Sequence, residues 1–314
     1  MKNDISVVIP VYNSENTLAQ LADRLEKVLS DCANNFEIIL VNDGSEDKSW
    51  EKIKQLTKQY RCLQGVNLMH NYGQHNALLC GIRLTKYPVT ITLDDDLQNP
   101  PEEIPKLLIK LNEGYDLVYG YPKEAKHGIY RNNFSVLTKF ILSKAIDNKN
   151  LQWISSFRAF KTELRNDFEN YRNTYISLDV LLIRGTKNII KVLVNHANRE
   201  VGKSNYNFNK LLRHSLNILF GYSSLPLRFV VIIGLVFSVL GFLIFVYTYI
   251  HYLIVGKVVP GFIFLTSTIS IFSGVQLLTL GIIGEYIARI HLGLTAPAPY
   301  VISERVDIHN KNET

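Results

Sequence analysis

Three consecutive carboxylates, Asp94-Asp95-Asp96, follow the apolar run Val89–Leu93 and precede Leu97-Gln98-Asn99-Pro100-Pro101-Glu102. Carboxylates at the exposed end of a buried strand repel one another unless a cation sits among them. Side chains alternate along an extended segment, so Asp94 and Asp96 are expected to point the same way. Together with the Gln98 amide they make a hard oxygen set suited to Mg²⁺ or Mn²⁺, an ion that keeps positions open for a nucleoside diphosphate. A solvated acidic turn is the plain alternative. The preceding strand and the helix-opening Pro-Pro-Glu favour the metal reading.

A second polar cluster, Asn42-Asp43-Gly44-Ser45, ends the run Glu37–Asn42. Taken alone it is a turn, but at a strand end Asp43 can accept hydrogen bonds from a nucleobase or ribose. Phosphate chemistry points to arginine, whose guanidinium grips phosphate oxygens bidentately. The candidates are Arg158 in Phe157-Arg158-Ala159-Phe160 and Arg199 at the head of Arg199–Tyr206, with Arg131 as a weaker member. In the latter run Lys203 adds a point charge and Gly202 permits close backbone approach. Solvated basic residues are the alternative for this set.

The elements that must position these groups alternate. β-rich runs at Ile5–Val11, Glu37–Asn42, Gly65–Met69, Val89–Leu93 and Asp116–Tyr119 are separated by helix-period stretches. Thr17–Leu29 is one of these, with Leu18, Leu21, Leu25 and Val28 on one face. Such alternation predicts a doubly wound, mostly parallel sheet, which binds ligands beyond the carboxyl ends of its strands. Tyr12-Asn13, the Asp43 cluster and the acidic triplet all stand at those ends.

Charge is distributed unevenly. It is frequent up to Arg228 and nearly vanishes until Glu285; Phe229–Ile250 and Phe262–Ile283 each hold 22 uncharged residues. Each is long enough to cross a hydrocarbon core. The connecting loop His251–Gly261 carries only Lys257, whereas Lys210, Arg213, Arg228 and Arg289 flank the pair. The positive-inside rule then places both chain ends in the cytoplasm. Tyr130–Ile146 and Asn207–Tyr222 have the polarity of interfacial or surface helices, and the tail after Val301 is expected to be mobile. The N-terminal run Ile5–Val11 is short and interrupted by Pro10, so no signal peptide is expected. A net charge of +6 is compatible with anionic lipid headgroups or nucleic acid and selects neither. Cys32, Cys62 and Cys80 form no CxxC pair, which excludes a zinc ribbon or dithiol site and implies reduced, unreactive thiols.

In their order and spacing these motifs resemble the family 2 glycosyltransferases that act on polyprenyl phosphates. The resemblance is carried by Val8-Ile9-Pro10-Val11-Tyr12-Asn13, Val41–Ser45, Asn71 with Gly73 and Gln74, Asp94–Glu102, Phe157-Arg158, Arg199–Tyr206, Pro226-Leu227-Arg228 and Ile283-Gly284-Glu285-Tyr286. It implies an α/β, GT-A (Rossmann-like, mostly parallel sheet) catalytic domain over 1–206. There follow a juxtamembrane amphipathic helix at 207–228, a transmembrane hairpin at 229–250 and 262–283, and a cytoplasmic tail at 284–314. It further implies an inverting, metal-dependent transfer from a nucleotide sugar to polyprenyl (undecaprenyl) phosphate at the cytoplasmic membrane. Membrane lipids would be partners, a homo-oligomer (a tetramer among the options) is expected, and nucleic acid is not.

Carried over by position, Asp94, Asp96 and Arg199 are the catalytic set, with Asp96 and Gln98 on the metal. Pro10, Tyr12 and Asp43 would shape the nucleotide pocket and Arg199 and Ser204 would meet the acceptor phosphate. With the residues read above, the expected nucleotide-sugar set is Pro10, Tyr12, Asn13, Asp43, Asp94 and Asp95, and the expected acceptor-phosphate set is Arg131, Arg158, Arg199, Lys203 and Ser204. Three departures stand out. Asn42 replaces an Asp, Tyr121-Pro122 stands where many relatives carry Arg, and Ser156 occupies a position where some carry an Asp. Two other functions are weighed: glycan extension, which Gln152-Trp153 only faintly supports, and a silent nucleotide-sugar-binding scaffold.

Overall fold

Runs of β-branched and leucine residues bounded by polar turns fold as strands, and the amphipathic stretches between them fold as helices on the sheet faces. The computed structural model describes residues 2–122, 154–169, 171, 177–197, 225–255, 261–295 and 298–307. The chain divides into one unit of Met1–Leu211 with Ala296–Thr314 and a second of Leu212–Thr295.

In the first unit the five expected strands are present as β1 (Asn3–Val11), β2 (Ala33–Asn42), β3 (Leu63–Leu68), β4 (Val89–Thr92) and β5 (Leu117–Pro122). Helices α1 (Leu18–Cys32), α2 (Ser49–Gln59), α3 (Gln74–Leu84) and α4 (Ile104–Asn112) alternate with them. Three further strands, β6 (Arg158–Lys161), β7 (Ile189–Val194) and β8 (Ile302–Val306), complete the sheet, and α5 (Leu178–Gly185) precedes β7. The order is β7-β5-β6-β4-β1-β2-β3-β8. β1 lies between β2 and β4 and runs parallel to both, which is the point where the direction of winding reverses and a ligand crevice opens. β6 runs antiparallel to β4 and β5, so the sheet is mixed on this flank as well as at the β8 edge.

The core is the layer between this sheet and its helices. Ile5, Val7, Ile9 and Val11 of β1 pack with Leu18, Leu21, Leu25 and Leu29 of α1 and with Ile91, Leu107 and Phe157. Each such side chain contributes about 1.5–3 kcal/mol on burial. Cys80 lies in this interior, where burial pushes its thiol up to about 12; the half-buried Cys32 and Cys62 are also raised, by the same cause.

The tail differs from expectation. β8 joins β3 antiparallel, with Gly65 opposite Val306 and Val66 opposite Arg305. Trp50 Nε1 donates to Glu304 Oε2 at 2.9 Å, and Arg305 Nη2 donates to Gln64 Oε1 at 3.1 Å. β3 would otherwise present a bare edge of unpaired N–H and C=O groups. β8 is exposed and polar along most of its length, so it is held by backbone pairing rather than by an apolar face.

The second unit contains α6 (Leu225–Val255) and α7 (Phe262–Thr295). Both extend past the expected spans 229–250 and 262–283, and the segment from 284 to Thr295, expected as tail, is helical. α6 contains Val230–His251, 22 residues long and apolar enough to cross a membrane; the apolar stretch of α7, Phe272–Ala288, is shorter. Phe237 and Phe272 meet edge to face, ring centroids 6.2 Å apart, and a side chain at Gly241 would strike the Phe272 ring. Leu235, Phe242, Leu243, Leu277 and Ile287 are exposed, an arrangement suited to a hydrocarbon solvent. The stretches 130–146 and 207–222 lie outside the described residues.

Candidate active site

The carboxyl ends of β1, β2 and β4 lead into three loops that are joined to one another by hydrogen bonds. Gly44 makes the first junction. It sits at φ +63°, and a Cβ there would lie 2.5 Å from the Asn71 nitrogen and the His70 carbonyl carbon. The turn after β2 can therefore approach the loop before α3 only with glycine at this position. Asp43, buried, then accepts the Tyr72 and Gly73 N–H groups at 2.7 and 2.9 Å. Burial raises its carboxyl above the usual range, and the two N–H donors pull against that shift. Asp43 thus ties the turn after β2 to the loop before α3 with both oxygens engaged. His70 and Tyr72 stack beside it, ring centroids 3.7 Å apart.

On the β1 side, Pro10 is a buried strand residue opposite Val41. The Tyr12 ring is 45% exposed beyond the strand end. Asn13 adopts φ 52°, its N–H donating to Ser45 Oγ at 3.0 Å and its Oδ1 accepting the Glu46 N–H at 2.9 Å. Asn42, the departure from Asp, accepts the Ser45 hydroxyl at 2.6 Å and donates to Asn67 Oδ1 at 2.7 Å. An amide serves that donor-and-acceptor position directly, which a lone carboxylate does not.

The acidic triplet is not extended. β4 ends at Thr92, and Leu97 takes φ 60° while its side chain stays buried in the core. A left-handed L-residue costs roughly 1–2 kcal/mol, and here the buried side chain anchors it. Asp95 and Asp96 form a turn, and the three carboxylates part company. Asp94 Oδ1 accepts Gln74 Nε2 at 2.6 Å and its Oδ2 accepts Ser156 Oγ at 2.5 Å. Asp95 Oδ2 accepts the Tyr12 N–H at 3.0 Å and the Ser14 hydroxyl at 2.5 Å. Asp96 Oδ1 accepts the Gln98 N–H at 3.2 Å. The expected alternation of Asp94 and Asp96 on an extended segment is corrected by this turn. Burial raises the Asp95 carboxyl to about 6, its Ser14 and Tyr12 donors oppose that shift, and the charges of Asp94 and Asp96 add to it.

Among the described residues, no group of three His, Cys, Asp or Glu side chains converges as a metal cage. Asp96 and the Gln98 amide are oxygen donors on one turn. That sparse set fits a hard divalent ion completed by water and phosphate oxygens, and does not fit a closed structural site.

Arg158 departs most from expectation. Instead of facing a phosphate it is 1% exposed and ion-paired with Asp179 Oδ1, while its Nε donates to Thr92 Oγ1 at 2.8 Å. Tyr119, buried alongside, donates to the same Asp179 oxygen at 3.1 Å. Arg131, Arg199, Lys203 and Ser204 lie outside the described residues. The chain leading to Arg199 is described as far as Ala197, whose N–H donates to the Gln98 carbonyl at 2.9 Å. Gln74, Ser156 and Ser14 complete the site, although residue type and spacing give none of them a role. Gln74 belongs to a resembling motif and Ser156 is one of the departures, but neither spacing nor charge indicates that both reach Asp94.

Acidic and amide oxygens and the stacked His70 and Tyr72 rings thus gather at the winding reversal, the edge where an α/β sheet of this kind binds its ligands. The family model described as "Glycosyl transferase family 2" matches residues 6–170, and that described as "GtrB C-terminal hairpin" matches 225–290. The chain belongs to glycosyl transferase family 2 and is a glycosyltransferase. It is 32% identical over 314 residues to the undecaprenyl-phosphate 4-deoxy-4-formamido-L-arabinose transferase of Proteus mirabilis (strain HI4320), covering 99% of this chain and 96% of that one. To the protein of the same name from Photorhabdus laumondii it is 33% identical, covering 98% and 96%.

Among solved structures it is similar to glucosyl-3-phosphoglycerate synthase from Mycobacterium tuberculosis in complex with Mn²⁺ and UDP-glucose. The TM-score is 0.52 and the identity 18%, over 69% of this chain and 77% of that one. Mannosyl-3-phosphoglycerate synthase from Rubrobacter xylanophilus gives a TM-score of 0.51 at 16% identity, over 69% and 73%. The fold is GT-A.

Proposed function

We propose that this chain transfers a sugar from a nucleotide-sugar donor to polyprenyl phosphate, with inversion, at the cytoplasmic face of a bacterial inner membrane. The observation that carries this reading is similarity running through both the catalytic domain and the helical hairpin to relatives named for undecaprenyl phosphate. The sugar is left to experiment, and the formamido-arabinose named for those relatives is the first to test.

A phosphate monoester has a second pKa of ~6, so the acceptor is largely dianionic at neutral pH and needs no side-chain base. One acceptor oxygen attacks the anomeric carbon as the bond to the donor diphosphate breaks; the electron pair leaves with the nucleoside diphosphate and no proton moves. Tyr12, Asn13 and the wall built on Asp43 hold the nucleotide, and Asp94 and Asp95 stand at the sugar-diphosphate end. Asp96 and Gln98 would hold Mg²⁺ or Mn²⁺, which when bound supplies charge to offset the leaving diphosphate. Arg199, with Lys203, Ser204 and Arg131, presents the lipid phosphate; the Ala197–Gln98 contact supports Arg199 being delivered to this edge. Arg158 leaves that set because its guanidinium is enclosed.

The hairpin reading is supported by chain topology. β8 follows the helix pair yet pairs in the same sheet as β1 to β3, which precede it. Any membrane crossings between them must therefore be even in number, which favours two spans over one and keeps both ends of the sheet-forming chain on one side. The exposed apolar residues of α6 suit membrane lipids as partners. Assembly as a homo-oligomer rests on the resemblance alone.

The test uses the purified full chain with undecaprenyl phosphate and a panel of UDP-, GDP- and dTDP-linked sugars, including the formamido-arabinose. The expected product is an inverted polyprenyl-phosphate monosaccharide. Transfer only to a saccharide acceptor would establish glycan extension instead, and donor binding without any transfer would make the protein a scaffold.

A further inference from the structure

The Asp94 carboxylate is held on both oxygens by neutral donors that lie far apart in the chain. Gln74, the first residue of α3, reaches Oδ1 at 2.6 Å, and Ser156, two residues before β6, reaches Oδ2 at 2.5 Å. Both donors are themselves fixed. Gln74 follows Gly73, whose N–H is held by Asp43 Oδ2 at 2.9 Å. The Ser156 carbonyl accepts the Thr92 hydroxyl at 2.8 Å, and Thr92 Oγ1 accepts Arg158 Nε at 2.8 Å. Arg158 is locked in turn by its ion pair with buried Asp179. Thr92 and Arg158 are register partners across β4 and β6, so a line of polar contacts runs from the buried ion pair to the active-site carboxylate.

We propose that Gln74 and Ser156 are positioning residues that hold the Asp94 carboxylate in one orientation toward the donor sugar, and that Arg158 acts on the same carboxylate through Thr92 and Ser156. The inference rests on the reading that Asp94 meets the donor. A carboxylate offers about four lone-pair sites, and two donors on opposite oxygens set its plane. Without them, a carboxylate flanked by Asp95 and Asp96 would swing to lessen repulsion. Both donors are neutral, so neither would compete for Asp94 with a cation that Asp96 and Gln98 would hold. A group oriented in advance needs no reorganisation when the substrate arrives.

The experiment uses the full-length protein in detergent or nanodiscs, with the nucleotide sugar that the wild type turns over fastest in the panel above. Gln74→Met and Ser156→Ala are each expected to lower kcat/KM for the donor by about 10–100-fold, the range set by small misplacement of a reacting group. The KM for undecaprenyl phosphate, the affinity for Mn²⁺ alone and the thermal midpoint should stay close to wild type. Ser156→Thr, which keeps the hydroxyl, should restore most of the loss, a rescue that a purely structural role does not require.

A cycle with Asp94→Asn, read as donor affinity by calorimetry, should show Gln74→Met adding nothing once the carboxylate is gone. Unchanged donor kinetics in both folded variants, or a full Gln74→Met effect in the Asp94→Asn background, overturns the proposal. If the wild type binds nucleotide sugars of the panel but glycosylates no lipid phosphate, the proposed reaction fails, and the calorimetric cycle still decides the roles of Gln74 and Ser156.

Discussion

Asp95 ties the end of β4 to the end of β1: its Oδ2 accepts the Tyr12 N–H at 3.0 Å and the Ser14 hydroxyl at 2.5 Å. The middle carboxylate of the triplet therefore holds the Tyr12–Ser14 loop against the turn after β4. Asp95→Ala should release the Tyr12–Ser14 loop and raise the donor KM about tenfold, the equivalent of one hydrogen bond to a charged group. Asp95→Asn, which keeps an acceptor, should lose less. Initial-rate kinetics over a range of donor concentrations checks this, and equal donor KM values in all three proteins would refute it.

Asp96 and Gln98 should carry the metal dependence. Asp96→Ala is expected to remove turnover by about 10³-fold or more, the scale of losing electrostatic stabilisation in a catalytic site, while circular dichroism and the thermal midpoint stay near wild type. Gln98→Ala should raise the Mn²⁺ or Mg²⁺ concentration needed for half-maximal rate. Undiminished activity in excess EDTA would remove both assignments.

At the opposite end of the strands, buried Glu37 accepts Ser6 Oγ at 2.6 Å, the Lys86 N–H at 2.7 Å and Gln64 Nε2 at 2.8 Å. Glu37→Ala leaves these donors facing a cavity, and each buried unsatisfied group costs about 1–3 kcal/mol. The expected loss is therefore several kcal/mol, with Glu37→Gln less severe because it keeps one acceptor oxygen. Denaturant unfolding of the two variants measures the difference.

Lys161 Nζ sits 2.7 Å from Asp116 Oδ1, and Thr186 Oγ1 donates to Oδ2 at 2.8 Å. The Lys161 ammonium, with help from Thr186, holds the Asp116 carboxyl below the usual range. A depressed folded pKa contributes stability that is present above the unfolded value of about 3.9 and is lost as pH falls through the folded one. Asp116→Asn should therefore lie below wild type by about 1 kcal/mol or less at pH 7. The gap should close only under acid, below the unfolded pKa. Thermal midpoints of both proteins across pH test the sign, since a gap that widens on acidification contradicts it.

Removing residues from Tyr300 onward should strip β8 from β3 and free the Trp50 indole from Glu304. The expected result is a red shift in tryptophan emission and faster aggregation through the bared edge. Unchanged emission in the truncated protein would argue that β8 contributes little in solution.

The five strands β1 to β5 and the helix face of Leu18, Leu21 and Leu25 were legible because their apolar periodicity is local and strong. β6 was hidden by its brevity and by the arginine that begins it, which reads as surface until Asp179 is known to meet it. β8 was hidden because its partner strand lies more than 230 residues earlier in the chain and its outward residues are polar. Of the site, the acidic turn, the Asp43 turn and the Tyr12-Asn13 loop were readable from their positions at strand ends.

What residue types and spacing determined by themselves is the chemistry on offer: carboxylate, amide and hydroxyl groups at one sheet edge, followed by long apolar helices. Those properties depend on neighbours within a few residues. Only tertiary structure decided how the carboxylates were used, sending Asp94 to Gln74 and Ser156, Asp95 to Tyr12 and Ser14, and Asp96 to its own turn. It also withdrew Arg158 from the surface by giving it Asp179. Hydrogen-bond partners over distances of 20 to 83 residues follow from strand order and from the turn after β4, and no local pattern encodes them.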